Sequence, residues 1–283
     1  MPYANAVIAG EPAASLQDVA PAAAIRRRAP EWLQILIWQT AVVLGAVALW
    51  QAAASFGWGV KVVVQSPEAV AKTLVTLATG PDLWPNYWAT IKATLLGLAV
   101  AVICGTPIGL ALGLMPKVQR VLSPFLSAIN AMPRIALAPV FIVVFGISLS
   151  AKVALSVSLV LFIMILNGIA GVAAADPEAV RMMTAMGASR FQTLRMVVLP
   201  AALPSILTGV RLGLIYSLLG VIASELIASA DGLGQMIARS AGVFDLATVY
   251  AVLLLLMMTA ALFNMLSDAL GRWLLRWQAP TAR

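Results

Sequence analysis

The sequence predicts an all-α membrane protein with six transmembrane helices, and three observations indicate this class. The 283 residues have a mean hydropathy of +0.98. Only 10% of them are charged, compared with about 25% in soluble domains. Six apolar runs are each about 20 residues long or longer, which is enough to cross a bilayer. These runs are residues 32–56, 90–115, 124–147, 151–171, 205–228 and 248–271.

The composition excludes several classes of function. Histidine is absent and cysteine occurs once, at Cys104, so no disulfide within the chain and no zinc or haem ligand set can be assembled. We therefore expect no metal site and no catalytic centre. The net charge of +7 comes from basic residues scattered between the apolar runs. Because they form no continuous basic face, we expect no binding of nucleic acid.

The placement of the basic residues predicts the orientation of the spans. Of the 18 Lys and Arg residues, Arg134 falls within the third run. If both termini lie in the cytoplasm, twelve of the others face inward and five face outward. This excess favours the N-in, C-in arrangement by the positive-inside rule. The five outward residues are Lys61, Lys72, Lys92, Lys152 and Arg239.

Two tails flank the predicted spans. Residues 1–31 are rich in Ala and Pro and end near three consecutive arginines, 26–28. This composition predicts a disordered cytoplasmic tail with a basic collar at anionic lipid headgroups. Residues 273–283 are predicted to form a cytoplasmic C-terminal tail.

Residues 32–87 predict the first transmembrane helix and then an external amphipathic helix. In the second of these, Ser66 is a suitable N-cap, Pro67 a suitable first residue and Gly80 a stop signal. The apolar residues of this segment share one face, so the helix is expected to lie on the outer membrane surface; they are Val70, Leu74 and Leu77.

The second span carries a small residue at every fourth position. Such a stripe lets the backbone of another helix approach closely. We therefore expect a helix-packing role for Gly97, Ala101, Gly105, Gly109 and Gly113.

The third span is expected to be bent and surrounded by protein, because Pro133 and Pro139 interrupt it. It also contains Arg134, and a charge within a bilayer requires a partner or a wet cavity. Arg134 either donates to the carbonyls of Ile129 and Ile135, or to carboxylates elsewhere in the assembly, or it lines a solute path.

Three other polar residues within the spans leave alternatives open. Asn130 and Asn167 either line the same path or bond across helices. Glu225, near the outer end of the fifth span, is either a gate residue facing the cavity or a carboxylate in the headgroup zone.

The segment 172–204 breaks the apolar pattern between the fourth and fifth spans. Asp176 and Glu178 are typical of a helix start, and that helix is expected to end near Met186. Residues 187–189 interrupt it, and a second short helix is expected over residues 190–198. Pro200 and Pro204 are then expected to bend the chain into the fifth span. The result is a rigid helix–glycine–helix elbow on which a partner can dock.

Several motifs of this chain resemble those of bacterial ATP-binding-cassette (ABC) importer permeases. Gly187 followed, after nine residues, by Val197-Val198-Leu199-Pro200 is similar to the glycine and I-x-L-P of their cytoplasmic loop. ALPSILTGVRLG, PRIALAPVFIVVFGI and SELIASADGLGQMI resemble the nitrate/sulfonate/taurine subfamily. One departure is Arg181-Met182-Met183, where that family usually has Glu-Ala-Ala.

The resemblance implies a type I importer fold with a permease core over residues 88–272, in a bacterial inner membrane. It implies a second permease copy, two ATPase subunits that bind the elbow, and a periplasmic protein that delivers a small solute, expected to be an anion. The residues expected to couple to the ATPase are Glu178, Arg181, Gly187, Ala188, Ser189, Arg190, Phe191, Leu199 and Pro200.

The chain lacks the G-x-x-x-x-G-K-[ST] phosphate loop. We therefore expect ATP and Mg²⁺ to be bound by the partner ATPase and this chain not to be an enzyme. The alternative is a self-contained secondary transporter or channel, although such carriers usually need carboxylates or histidines at mid-span.

Overall fold

The computed structural model describes residues 31–56 and 65–277, with side chains from Leu33. The predicted N-terminal tail up to residue 30 and residues 278–283 of the predicted C-terminal tail lie outside the described residues. The chain divides into two units, Met1–Leu49 and Trp50–Arg283. The described part of the first unit is the beginning of a long helix, and the second unit holds the end of that helix and all later elements.

The described residues form eleven α-helices and no strands. The helices are α1 (Glu31–Ser55), α2 (Pro67–Thr79), α3 (Leu83–Gly113), α4 (Pro116–Ala131), α5 (Ala138–Phe145), α6 (Leu149–Ala173), α7 (Pro177–Ala185), α8 (Arg190–Thr193), α9 (Leu199–Ile227), α10 (Leu233–Gly242) and α11 (Leu246–Leu274). A 3₁₀ turn, Arg134–Leu137, precedes α5, and a π-helical turn, Leu194–Val198, precedes α9.

Five helical runs within the described residues are long and apolar enough to span a membrane, and a sixth is obtained if the bent pair before α6 counts as one. The five contain α1, α3, α6, α9 and α11. The all-helical membrane class predicted from hydropathy is therefore confirmed. The six apolar runs correspond to these elements because local composition alone determines which segments can cross a bilayer.

The third span is broken rather than continuous. Pro116–Ala131 and Arg134–Phe145 meet at an angle of 76°. Met132, which precedes Pro133, has an extended backbone (ψ 134°), as the ring of a following proline demands. The predicted bend is confirmed. Within the described chain, protein surrounds the second half of this span in part, since Arg134 and Ala138 are buried, whereas α4 contains no buried residue.

The helix that contains the fifth span begins earlier than predicted. Residues Arg190–Ile227 form one helical run of 38 residues, so Pro200 and Pro204 do not separate the second short helix from the span. The π-helical turn ends at Val198, two residues before Pro200, and the N–H of Leu199 donates to the carbonyl of Leu194, five residues earlier. This wider turn maintains the helix where proline lacks a donor.

The centre of the second unit is formed by α3, α6 and α9. The small-residue stripe of α3 lies against α6. A Cβ on Gly109 would be 2.4 Å from the carbonyl oxygen of Ile165, and one on Gly105 would be 2.7 Å from the Cβ of Met164. The two backbones are therefore too close for larger side chains. Ala101, Val160 and Met164 form a buried cluster beside this contact.

The predicted amphipathic helix is present as α2, with Ser66 as its N-cap and Gly80 after its end. Its Val70 is buried, and Leu77 packs against a cluster that includes Leu83 and Val252. Because that cluster also contains residues of α9, α10 and α11, α2 packs against the core of the second unit.

Candidate coupling surface and polar cavity

The elbow begins with α7, and both ends of this helix are capped by residues adjacent to it in sequence. The Asp176 carboxylate accepts a hydrogen bond from the N–H of Glu178 (2.9 Å). At the other end Gly187 has φ +80°. Its N–H donates to the carbonyl of Thr184, and the N–H of Ala188 donates to that of Met183. These two bonds and the left-handed glycine form a Schellman motif, which terminates the helix.

The second half of the elbow starts two residues later. Ser189 accepts a bond from the N–H of Gln192 (3.3 Å), and the Gln192 side chain accepts one from the N–H of Ser189 (2.7 Å). This reciprocal capping box fixes the start of α8. A helix stop at Gly187 and a helix start at Ser189 give the elbow a geometry that its local sequence defines.

The elbow exposes large apolar side chains together with polar and charged groups. Glu178, Arg181, Gly187, Ser189, Arg190, Phe191 and Leu199 are exposed, whereas Ala188 and Pro200 are partly buried. Three methionines of the elbow, Met182, Met186 and Met196, are exposed as well. Met182 belongs to Arg181-Met182-Met183, the segment that departs from the Glu-Ala-Ala pattern. The elbow therefore exposes a large apolar side chain at that position.

A second candidate site is a cavity of about 410 Å³ beside the break in the third span. It brings together Asn130, Arg134 and Asn167, three of the four residues selected from the sequence. Tyr216 and Leu212 of α9 complete its wall together with apolar residues of α6. Sequence reasoning missed Tyr216, which carries no signal beyond its position in an apolar run.

Arg134 is buried (6% exposed) and has four acceptors. One terminal nitrogen donates to the carbonyls of Ser158 (2.9 Å) and Leu159 (3.2 Å) on α6. The other donates to the carbonyl of Ile129 (3.2 Å) and to Oδ1 of Asn130 (2.9 Å). The expected bond to Ile129 is therefore present, and the arginine joins the broken span to α6.

The charge of Arg134 has no carboxylate partner among residues 31–56 and 65–277. Its guanidinium carbon lies 4.2 Å from the ring centre of Phe162, a cation–π contact. Its Nε is buried without a hydrogen-bond acceptor in the described part of the chain. An uncompensated positive charge therefore borders the cavity.

Asn167 does not bond across helices within the described residues. Its Nδ2 donates to the carbonyl of Ile163, one turn earlier on α6 (2.9 Å). Its side chain also packs against α9, where a Cβ on Gly209 would be 2.9 Å from the Cβ of Asn167. The residue thus lines the cavity at the contact of two helices.

Glu225 does not line this cavity and is not in an open surface zone. Its residue is 1% exposed. The carboxylate accepts bonds from Thr90 (2.9 and 3.0 Å), from Nζ of Lys152 (3.1 Å) and from the N–H of Gly234 (2.9 Å). In the described chain these contacts give Glu225 a structural role, and the gate and headgroup-zone roles expected from the sequence stay predictions.

The network around Glu225 closes the start of α10. Asn86 accepts from the N–H of Gly232 (2.7 Å), and Thr90 accepts from that of Leu233 (2.8 Å). With the bond from Gly234 to Glu225, three consecutive N–H groups at this helix start are satisfied by side chains of α3 and α9. No local sequence signal marks these caps, because they come from distant segments.

Lys152 is the second residue that sequence reasoning missed. Its Nζ binds Glu225 and also Oδ1 (2.5 Å) and the carbonyl (2.8 Å) of Asp231. Its only sequence signal was a charge at the beginning of an apolar run. No cluster of His, Cys, Asp and Glu suited to a metal ion occurs in the described residues.

Comparisons of this chain with known proteins agree on one family. Residues 105–279 match the model of the family described as binding-protein-dependent transport system inner membrane component. The chain is 33% identical over 265 residues to the taurine transport system permease protein of Escherichia coli (strain K12), covering 89% of this chain and 95% of the relative.

Two further relatives carry other solute names. A riboflavin transport system permease protein of Chloroflexus aurantiacus is 30% identical over 249 residues, covering 88% and 92% of the two chains. A putative aliphatic sulfonates transport permease protein of Escherichia coli (strain K12) is 31% identical over 234 residues, covering 83% and 89%.

A solved structure has the same fold. A chain of the MetNI methionine ABC transporter, determined in inward-facing conformations, superimposes with a TM-score of 0.61 at 22% identity, covering 67% of this chain and 94% of that one.

Proposed function

The chain belongs to the family of binding-protein-dependent transport system inner membrane components, and we propose that it forms the translocation path of an ABC importer for a small organic anion. The family consists of transport permeases rather than enzymes, and its members reside in the inner membrane. The proposed assembly contains a second permease copy, two ATPase subunits that bind ATP and Mg²⁺, and a periplasmic binding protein.

The observation that carries this proposal is the exposed elbow formed by residues 176–198. It is covalently joined to two spans, since α6 ends at Ala173 and α9 continues directly from the elbow. Capping at both of its internal ends limits its flexibility. A force applied to the elbow by a partner would therefore be transmitted to α6 and α9 as a rigid-body movement.

The exposed apolar side chains of the elbow support docking rather than a free loop. Met182, Met186 and Phe191 are all exposed, and methionine adapts to irregular partner surfaces. The face lacks the acidic residue that the family usually has at position 181. We propose that apolar contacts of Met182, Met186 and Phe191 provide most of the binding to the ATPase subunit.

The polar cavity supports an anionic solute. Arg134 contributes a positive charge that no described carboxylate neutralises, and Asn130, Asn167 and Tyr216 add polar groups. Because the four acceptors around Arg134 occupy its terminal nitrogens, we propose that it acts on the solute through its field rather than through a bidentate contact. The names of the taurine and sulfonate relatives are consistent with this choice.

The test is uptake by the reconstituted complex. The chain is placed in proteoliposomes with its partner ATPase and binding protein, and uptake of labelled taurine, an alkanesulfonate and riboflavin is measured with and without ATP. Uptake of a sulfonate that requires ATP supports the proposal. Uptake driven by an ion gradient without ATP would instead identify a secondary transporter, and ATP-dependent uptake of riboflavin alone would contradict the anion assignment.

A further inference from the structure

The polar cavity beside the broken span contains two asparagine side chains whose orientation is determined by their neighbours. Arg134 can only donate hydrogen bonds, so the amide atom of Asn130 that it contacts is the oxygen (2.9 Å). The carbonyl of Ile163 can only accept, so the amide atom of Asn167 that it contacts is the nitrogen (2.9 Å). The two amides are therefore fixed in opposite senses.

Each amide keeps one group that has no partner among the described residues. For Asn130 this group is Nδ2, a donor, and for Asn167 it is Oδ1, an acceptor. Asn130 is exposed and Asn167 is partly buried. The oxygen of Asn167 is nevertheless accessible, because the buried side-chain atoms without a partner in the described chain belong to Thr106 and Arg134. The cavity thus offers a donor at one position and an acceptor at another.

The donor and the acceptor are held a short distance apart by α6. Arg134, which orients Asn130, donates to the carbonyl of Leu159 (3.2 Å). Asn167 is held by the carbonyl of Ile163, four residues after Leu159. At 1.5 Å per residue, the two anchoring residues are about 6 Å apart along the helix axis. A small solute with a functional group at each end matches this separation, and the cavity of about 410 Å³ has room for it.

The electrostatics of the cavity distinguish its two ends. The charge of Arg134 and the N–H donor of Asn130 favour an anionic group at one end. The amide oxygen of Asn167 carries a partial negative charge and favours an N–H or O–H donor at the other. A solute that lacks this donor displaces water from the oxygen without replacing its hydrogen bond, which lowers affinity.

We propose, on the basis of the proposed importer function, that Asn167 is a specificity-determining residue that selects anions carrying a hydrogen-bond donor over anions of the same size without one. Asn130 donates to the anionic group, and Oδ1 of Asn167 accepts from the donor at the other end of the solute. Tyr216 of α9 lines the same cavity, and its hydroxyl can bond to either end. The permease thereby adds its own selection to that of a binding protein.

The experiment measures the binding of labelled probes to the full-length chain, purified with its partner ATPase and placed in nanodiscs. The binding protein is omitted so that its own selectivity does not enter the measurement. The probes form two pairs of equal chain length, 2-aminoethanesulfonate with propane-1-sulfonate and 3-aminopropanoate with butanoate. The amine of each pair is expected to bind about tenfold more tightly, which is the effect of one acceptor left without its hydrogen bond.

Substitutions of Asn167 test whether its oxygen is the selecting group. Asn167→Leu keeps a side chain of similar shape against Gly209 and removes the acceptor. It is expected to weaken binding of both amines about tenfold and to leave the two probes without an amine unchanged, whereas a purely structural role would affect all four probes alike. Asn167→Asp retains an acceptor and is expected to keep the preference. Asn264→Leu makes the same change on α11, outside the cavity, and should leave binding unaltered.

The inference is overturned if the unaltered chain binds amine and isostere equally, if it binds none of the four probes, or if assembled Asn167→Leu keeps the preference. Should Asn167→Leu not assemble, loss of the preference in Asn167→Asp overturns it instead. ATP-dependent uptake by the complete complex in any of these cases leaves the importer function standing. An amine preference that Asn167→Leu abolishes, in a complex without ATP-dependent uptake, would support the site and contradict the importer.

Discussion

At the scale of single residues, Arg134 combines a structural contact with an electrostatic one. Its terminal nitrogens bond to Ile129, Asn130, Ser158 and Leu159, which connects the broken span to α6. Its charge also borders the polar cavity. A buried arginine that bonds to neutral acceptors retains its field, because no carboxylate among the described residues pairs with it.

Two substitutions at Arg134 separate these roles. Arg134→Lys keeps the charge but cannot reach all four acceptors, so we expect about 1–3 kcal/mol lower stability with the preference for anions retained. Arg134→Gln is expected to lose stability and also to reduce uptake of an anionic solute about tenfold, the effect of about 1.4 kcal/mol of lost stabilisation. The measurements are melting temperature and uptake per folded complex. Wild-type stability and uptake in Arg134→Gln would reject both roles.

Lys152 and Glu225 form the second residue-scale feature, a buried ion pair with side chains that are 5% and 0% exposed. Breaking a buried pair leaves an uncompensated charge in a medium of low polarity. Asp231 also binds Lys152, but it is itself a carboxylate, so it cannot compensate the charge of Glu225 once the lysine is removed.

We therefore expect Lys152→Met to lower the free energy of unfolding by about 3 kcal/mol. The double variant Lys152→Met, Glu225→Gln should recover part of this loss, because the stranded charge is removed as well. Thermal unfolding in nanodiscs measures both. Lys72→Met, which breaks the exposed pair of Lys72 with Glu68 (2.6 Å), is the control and should have no measurable effect. Equal, small effects of Lys152→Met and Lys72→Met would contradict the assigned importance of burial.

At the scale of secondary-structure elements, the elbow depends on the backbone of Gly187 rather than on space around it. Its φ of +80° is the left-handed conformation, whereas a Cβ at this position would meet no atom within 4 Å. A glycine can be required because the backbone turns through a left-handed conformation or because another group packs closely against it. Within this chain the first reason applies to Gly187. An approach by a partner subunit would add a second reason.

The predicted effect follows from that backbone. Gly187→Val should cost about 1–3 kcal/mol of local strain and reduce association with the ATPase subunit, while the protein stays in the membrane. Gly187→Asn should retain association, since asparagine tolerates the left-handed region. Co-purification of the ATPase with each variant is the measurement. Arg190→Glu is expected to weaken the same association less. Full assembly and solute-stimulated hydrolysis in Gly187→Val would count against the elbow as the docking point.

At the scale of the whole molecule, orientation in the membrane decides which partner meets which surface. The elbow and the loop before α3 lie at opposite ends of predicted spans. We therefore expect a cysteine in place of Ser189 to be labelled only from the cytoplasm and one in place of Asp82 only from outside, in a Cys104→Ser background. Labelling of intact cells and inverted vesicles with an impermeant maleimide provides the measurement. Labelling of both positions from one side would reject the six-span topology.

The sequence by itself determined the features that depend on neighbours a few residues apart. Apolar runs located the spans, Asp176 and Gly187 located the ends of α7, and proline located the break in the third span. Hydropathy and capping act within about one helical turn, so a linear pattern contains them. The bend predicted at Pro200 was wrong. A π-helical turn before the proline continues the helix although the proline has no N–H to donate.

Only the tertiary structure decided which polar groups meet. Lys152 and Glu225 are 73 residues apart in sequence and Thr90 and Glu225 are 135 apart, and nothing in either local pattern indicates the partner. The same holds for the carbonyls of α6 that bind Arg134. Which faces of packed helices come together depends on side-chain packing over the whole bundle, so contacts between distant segments are determined only once the helices are assembled.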